Sequence, residues 1–233
     1  MKLPRIVIAE VVAALAEVFV RARHADKVIE RAFKAHKKWG ARDRRLFAGS
    51  VYDIVRWWRW HWHLAGLPDE ECLNKDAITE MRLWQVWGAY WVSREGEWAP
   101  FAECRAVSAA SVRVQAGAEV PPAVRAAFPD WLYELGEREI GPEWPRMVRA
   151  LNQTAPVDLR VNTLKISLRD LQEILHREAI EAGPVRGVPE ALRLRERKSL
   201  FTTAAFKDGL FELQDAASQR IAPFLEAEPG MRV

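Results

Sequence analysis

A chain of 233 residues, 49% hydrophobic and with a net charge of +3, has the composition of a soluble globular protein of one or two domains. Its two cysteines, Cys72 and Cys104, form neither a disulfide framework nor a metal-ligand spacing, which points to a reducing, cytoplasmic compartment. Glu10 and Glu17 interrupt the apolar opening run, and no small-residue cleavage site follows it, so an amphipathic core helix is expected there rather than a signal peptide or a membrane span.

Pro4 suits a helix start, where its missing donor costs nothing. From Arg5 to Arg21, Ile8, Val11, Val12, Leu15, Val18 and Phe19 make one broad apolar stripe and predict the first helix. A second spans Asp26–His36 and ends at Trp39-Gly40. Asp43 caps a third, long helix to about Leu64, with Leu46, Phe47, Val51, Ile54, Val55 and Trp58 at helical spacing. Asn74 caps a fourth, to about Trp91, and a fifth covers Pro100–Val107. Residues 1–118 therefore read as an all-α bundle. Gly117–Pro122 is a boundary, and three short helical pieces, Pro122–Phe128, Asp130–Ile140 and Glu143–Gln153, form a connector over 119–153.

The period then changes. Val157–Val161 alternates as a half-buried strand does. Asn162–Lys165 turns, and Ser167 caps a helix from Leu168 to about Glu178. Gly183-Pro184 and Gly187-Val188-Pro189 read as turns, and Ala191–Arg195 as another strand. Leu210–Leu213 is a strand, Gln214-Asp215 a polar corner with Asp215 as N-cap, and a helix follows with Ile221, Phe224 and Leu225 on its apolar face. Pro229-Gly230 stops it, and Met231-Arg232-Val233 looks like the start of a further strand, as if the chain were the N-terminal part of something longer. Residues 154–233 are thus a small α/β segment.

Charge is uneven. Between Arg21 and His63 twelve Lys/Arg face four Asp/Glu, a local +8 that leaves −5 for the remainder. A polyanion partner and a solvated helical face account for this equally well. The interleaved tryptophans do not separate the two, because Trp at helical spacing is more often core than a stacking platform. There is no Gly-rich phosphate loop and no His/Cys/carboxylate set with metal spacing. His61 and His63 fit a surface or packing role, and neither cysteine has a partner base.

Three stretches carry a resemblance: Ala155-Pro-Val-Asp-Leu-Arg-Val-Asn-Thr-Leu-Lys165, Asp208-Gly-Leu-Phe-Glu-Leu-Gln-Asp-Ala-Ala-Ser-Gln219 and Pro229-Gly-Met-Arg-Val233. Together the chain resembles the N-terminal half of the RNA (cytosine-5) methyltransferases, the bacterial ribosomal-RNA group of the RsmB/Sun type. Asp43-Arg44-Arg45-Leu46 through Val55-Arg56 is similar to a helix of the NusB-like RNA-binding domain of that group. The resemblance implies a mainly α fold: a NusB-like bundle (1–118), the connector, and a small α/β RNA-binding segment (154–233) that leads into a Rossmann-like cofactor sheet at its first strand.

The family mechanism has one cysteine thiolate attack carbon 6 of cytosine, methyl transfer to carbon 5, and release aided by a second cysteine, in Pro-Cys and Thr-Cys contexts. Neither Cys72 nor Cys104 has those neighbours. The resemblance therefore implies S-adenosylmethionine as cofactor of the parent protein, with no catalytic, cofactor-binding or metal residue in this chain and no cofactor bound to it. The implied partner is structured ribosomal RNA, with neither DNA nor membrane, and the oligomeric state is left open. Arg160, Asn162 and Lys165 at a strand end suit a sugar-phosphate backbone and a base edge. Asn162 making the turn and Arg160 pairing with an acid is the alternative, and the resemblance favours RNA. Arg42, Arg44, Arg45 and Arg56 supply phosphate attraction with salt-dependent affinity. Gln214, Asp215 and Ser218 fix the domain junction. Two other readings are a stand-alone, non-enzymatic RNA-binding or antitermination-like module and a protein-interaction bundle with Trp-rich surfaces.

Overall fold

The computed structural model describes residues 3–96, 101–228 and 230–232. The chain forms two compact units, residues 1–152 and 153–233.

The first unit is helical: α1 Arg5–Phe19, α2 Ala25–Ala35, α3 Ala41–Arg56, α4 Trp58–Leu64, α5 Glu80–Glu95, α6 Ala109–Gly117, α7 Pro122–Arg125, α8 Asp130–Ile140 and α9 Trp144–Leu151, with short 3-10 turns between some of them. Helix α1 sits centrally, against α2, α3 and α5. Its Ile8, Val11 and Leu15 are fully buried among Phe47, Val51 and Ile54 of α3 and Leu83, Val86 and Trp87 of α5. This is the stripe read from the sequence.

The long third helix is in fact two. Trp57 leaves helical geometry at φ −108°, ψ 29°, and α4 starts again at Trp58. Trp58 and Trp62 are buried, and their indole N–H groups donate to Cys72 O (2.6 Å) and Pro68 O (2.8 Å), tying the following loop back to the helix. Asp43 lies in the first turn of α3 without capping it, since Gly40 occupies the cap position. Asn74 caps no helix. Its side chain accepts from Asp76 N (3.1 Å) in a local turn, and α5 begins later, with the Thr79 side chain accepting from Arg82 N. In place of a fifth helix there is a 3-10 turn, Ala102–Cys104, and Pro100 lies outside the described residues. Helix α6 follows, opened by a Ser108–Ser111 capping box. Helices α7–α9 bury Ala123, Phe128, Tyr133, Trp144 and Val148 together within the same unit. Gly136 is required there, because a Cβ at that position would collide with the Trp144 indole.

The second unit holds β1 Asp158–Val161, α10 Leu168–Arg177, β2 Ala182–Val185, β3 Val188–Leu194, α11 Ala204–Lys207, β4 Phe211–Leu213 and α12 Ala216–Gln219. The strands form one antiparallel sheet in the order β2-β3-β1-β4, with Arg160 opposite Ala191 on one side and Glu212 on the other. Leu159, Val161, Leu192, Leu194 and Phe211 bury against Leu171 and Leu175 of α10, Leu200 and Ala205. On the opposite side Ala216 of α12 packs on Val188 and Ala191.

Three expectations fail here. Gly183-Pro184 lies in strand β2, hairpinned to β3 through Gly187 (φ +77°). An edge strand tolerates a proline because its outward N–H is not needed. The helix after Asp215 stops after one turn. Pro223 has no N–H to continue the ladder, and only a 3-10 turn, Ala222–Leu225, follows. Ile221, Phe224 and Leu225 are exposed accordingly. Met231 and Arg232 are in no strand, and Pro229 and Val233 lie outside the described residues.

Candidate functional site

Alternation along β1 sends Leu159 and Val161 into the core and Asp158 and Arg160 to the other face. Asp158 is the anchor of that face. Its carboxylate, with no exposed side-chain surface, receives Arg193 Nε (2.7 Å), Arg193 Nη2 (3.0 Å) and the backbone N–H of Ala216 (3.1 Å). Its carbonyl also accepts from Gln214 N at 3.1 Å. The hydrogen bonds from Arg193, aided by the Ala216 amide and the guanidinium charge, hold the Asp158 carboxyl below the usual carboxylate range. The same hydrogen bonds push Arg193 up, with a smaller contribution from the charge of Asp215.

The start of α12 is thereby pinned to the sheet. Asp215 accepts from Ala217 N (2.8 Å) and Ser218 N (3.4 Å), the N-cap expected of it. Gln219 is buried, donates from Nε2 to Gln214 O (2.9 Å), and keeps a buried Oε1 without a partner.

Beside this corner runs a groove of about 600 Å³ whose walls include Arg160, Pro189, Glu190, Gln219, Arg220 and Phe224. Arg160 Nε lies 3.3 Å from Glu190 Oε2, both side chains being half-exposed. Phe224 is 80% exposed and lines the groove together with Arg160, Arg220 and two carboxylates, Glu190 and Glu226. Such a surface offers cations for phosphate and a ring for stacking.

Asn162 and Lys165 do not join Arg160 in the groove. Asn162 Nδ2 donates to Gly209 O (2.9 Å), and Lys165 Nζ to Asp208 O (2.7 Å). Both clamp the Asp208-Gly209 turn, where Gly209 has φ +65°. In the helical unit Arg42 and Arg45 are exposed. Arg44 donates to Trp39 O (3.0 Å) and lies 4.9 Å over the Phe33 ring. Arg56 lies 5.5 Å from the rings of both Trp57 and Phe128. Arg59 is structural, bound to Phe128 O (2.6 Å) and Asp130 (2.8 Å).

Sequence reasoning missed Asp158, Arg193, Gln219, Arg220 and Phe224. Only Asp158 left a signal, an acid in mid-strand whose alternation gives it a buried face to occupy. His61, His63, Cys72 and Cys104 are packing elements. His63 bridges Asp69 (3.3 Å) and Gln115 O (3.1 Å), and burial pushes His61 down to about 3. Burial pushes the Cys104 thiol up to about 12 and raises Cys72, so neither is a thiolate at neutral pH. Among the described residues no three metal-ligating side chains cluster, and no helix is long and apolar enough to cross a membrane.

Residues 128–200 match the family model "Methyltr_RsmF/B-like, ferredoxin-like domain". A probable ribosomal RNA small subunit methyltransferase B of Synechocystis sp. is 33% identical over 105 residues, 44% of this chain and 24% of that protein. The corresponding proteins of Coxiella burnetii (probable) and Citrobacter koseri are 32% and 28% identical over 46% and 47% of this chain. The matches span about a quarter of the length of these relatives. The crystal structure of PH0851 superposes over 99% of this chain and 57% of that one with a TM-score of 0.56 at 18% identity, a likeness of fold. Residues 128–200 are thus similar to the ferredoxin-like domain of the RsmF/B-like methyltransferases, and part of this chain is similar to about a quarter of ribosomal RNA small subunit methyltransferase B.

Proposed function

We propose that this chain is the RNA-recognition part of a ribosomal RNA (cytosine-5) methyltransferase that uses S-adenosylmethionine in the cytoplasm, with the helical unit serving as a NusB-like RNA-binding domain. The observation that carries this reading is the match of residues 128–200 to the ferredoxin-like domain of RsmF/B-like methyltransferases. The groove beside that sheet supports it. Arg160 and Arg220 supply phosphate contacts and Phe224 a stacking face. Arg42 and Arg45, both exposed, add nonspecific attraction. Asn162 and Lys165 act on RNA through the turn they hold, which sets the end of β1. Gln214, Asp215 and Ser218 fix the corner at which a following domain would dock.

The residues described do not fit the cofactor. The sheet is antiparallel, so it has no strand-end crevice at a topological switch point and no Gly-rich strand-to-helix turn. Nor do they fit the chemistry, since both cysteines are buried and their thiols shifted upward. RNA binding without methyl transfer is the activity of this chain by itself.

The test is fluorescence anisotropy with a labelled fragment of small-subunit ribosomal RNA across a salt series. Binding should weaken with salt, by about 0.7–0.9 in log-log slope for each phosphate contact. The double variant Arg160→Ala/Arg220→Ala should reduce that slope by roughly two such contacts. Binding that is absent, or indifferent to salt, refutes the RNA reading. Methylation of the fragment by this chain alone with S-adenosylmethionine refutes the division of labour.

A further inference from the structure

Two tryptophans left partly exposed, Trp57 and Trp60, line a second pocket. Of the run Trp57-Trp58-Arg59-Trp60-His61-Trp62, the core takes Trp58 and Trp62, which are 4% and 0% exposed. Trp57, at the break between α3 and α4, and Trp60, one turn on, stay partly open to solvent. They line a pocket of about 260 Å³ with Asp53, His61, Tyr90 and Arg94. That volume falls below the roughly 300–1,000 Å³ of drug-sized sites, so the pocket suits a single ring system and not a whole cofactor.

Its polar lining is specific. Arg94 Nη1 meets Asp53 Oδ2 at 2.7 Å, and the Tyr90 hydroxyl lies 3.4 Å from the same oxygen. An acceptor and a donor therefore stand side by side among aromatic rings, which complements the edge of a nucleobase, where donor and acceptor atoms alternate. Arg94 lies 5.5 Å over Tyr90 and Arg56 5.5 Å over Trp57, so positive charge flanks the aromatic wall. That charge suits a phosphate next to the bound ring and disfavours a cationic guest.

We propose that this pocket holds one unstacked nucleobase of single-stranded RNA, stacked on Trp57 and edged by Trp60, whose own ring stacks on His63 (5.6 Å) and lies under the Arg125 guanidinium (5.0 Å), and read at its edge by Asp53 and Arg94. The inference rests on the RNA reading and deepens it by adding a base-selective contact to a unit otherwise attracted only to phosphate. His61 stands edge-on to Tyr90 at 5.3 Å and stays neutral, so no extra charge enters the pocket over the physiological pH range.

The experiment uses the full chain with two probes, a short fluorescein-labelled single-stranded RNA of mixed sequence and a duplex RNA of the same length. Trp57→Ala should weaken single-strand binding roughly five- to hundredfold, the worth of one base-aromatic stack, while Trp57→Phe retains most of it. Duplex binding should be unchanged in both variants. In the wild type, the Trp57 indole N–H resonance should shift on adding the single strand and saturate, a readout that does not depend on how well a variant folds. Three results overturn the pocket: equal single-strand affinity in wild type and Trp57→Ala, an equal loss on duplex and single strand, or an unmoved Trp57 resonance. If the groove double variant still loses salt-dependent binding in those cases, the RNA reading survives without the pocket. If wild type binds neither probe, both fall.

Discussion

The two units hold themselves together with different materials. The helical unit buries Trp58, Trp62, Trp84, Trp87, Trp91 and Trp144, and all eleven tryptophans of the chain lie in it. The sheet unit has no tryptophan and no tyrosine. Its core is Leu159, Val161, Leu171, Leu175, Leu192, Leu194 and Phe211, fastened by one buried carboxylate, Asp158. An indole brings large apolar area together with one donor that needs a partner, whereas an aliphatic core needs none. The first unit therefore faces a hydrogen-bonding problem at each buried ring, met at Trp58 and Trp62 but not at Trp87 or Trp144, and the second concentrates its polar chemistry at one point. The difference also gives an instrument: intrinsic tryptophan fluorescence reports only on residues 1–152, and far-ultraviolet circular dichroism reports on both units.

The largest effect should come from Trp62→Ala. The ring is fully buried and its N–H holds Pro68 O, so the variant opens a cavity and frees the loop that follows α4. A loss of roughly 3–5 kcal/mol is expected in the fluorescence-detected denaturant transition. The sheet unit should respond instead to Asp158→Ala, which strands Arg193 and the Ala216 amide. Because Arg193 is 48% exposed, the cost is discounted from that of a fully buried pair to about 2 kcal/mol. It should show in circular dichroism with the fluorescence transition unmoved. A shift of both probes in either variant would mean that the units do not unfold separately.

Acid should separate the units again. His61 has a folded value of about 3, below the roughly 6.5 of an unfolded histidine. The unfolded chain takes up the proton first, so the helical unit loses stability as pH falls from about 6.5 toward 3. Asp158 is also depressed, but it is an acid. Its contribution is intact above the unfolded value of about 3.9 and is lost only as pH falls through the folded one. The fluorescence transition should therefore weaken at a higher pH than the dichroism component of the sheet unit. His61→Phe, which keeps a ring edge-on to Tyr90, should flatten the pH dependence of fluorescence-detected stability between pH 6.5 and 4. An unchanged slope in that variant assigns the effect elsewhere.

The same contrast explains what the sequence showed. The stripe of α1 and the Asp215 cap were legible because each is a local pattern: period, or one side chain reaching its own backbone. The break at Trp57 was not, since Trp57 and Trp58 both fit the helical period and only the packing of Trp58 and Trp62 distinguishes them. Pro184 hid β2, because whether a proline sits on an edge strand depends on a sheet order that the chain does not spell out. The groove was legible only at Arg160. Gln219, Arg220 and Phe224 reach it because Pro223 ends the helical ladder, which turns the apolar residues of a supposed helix outward. Asn162 and Arg160 stand two apart in one motif, yet one clamps the Asp208-Gly209 turn and the other lines the groove.

The finest test stays within the helical unit and asks whether a buried indole must spend its donor. Trp62 and Trp87 are both fully buried, but Trp62 donates to Pro68 O at 2.8 Å whereas Trp87 Nε1 is buried with no partner. Substitution by Phe removes the same atoms from each core, so the cavity cost is closely matched. Trp62→Phe also deprives Pro68 O of its donor, while Trp87→Phe removes a polar group whose desolvation nothing offsets. Trp62→Phe should therefore be the more destabilising of the two by about 1 kcal/mol in fluorescence-detected denaturation. Equal costs would mean that the Trp62 hydrogen bond adds nothing beyond burial. A larger cost at Trp87 would mean that its N–H has a partner in solution, an internal water being the candidate, and the indole would then be as fully satisfied as that of Trp62.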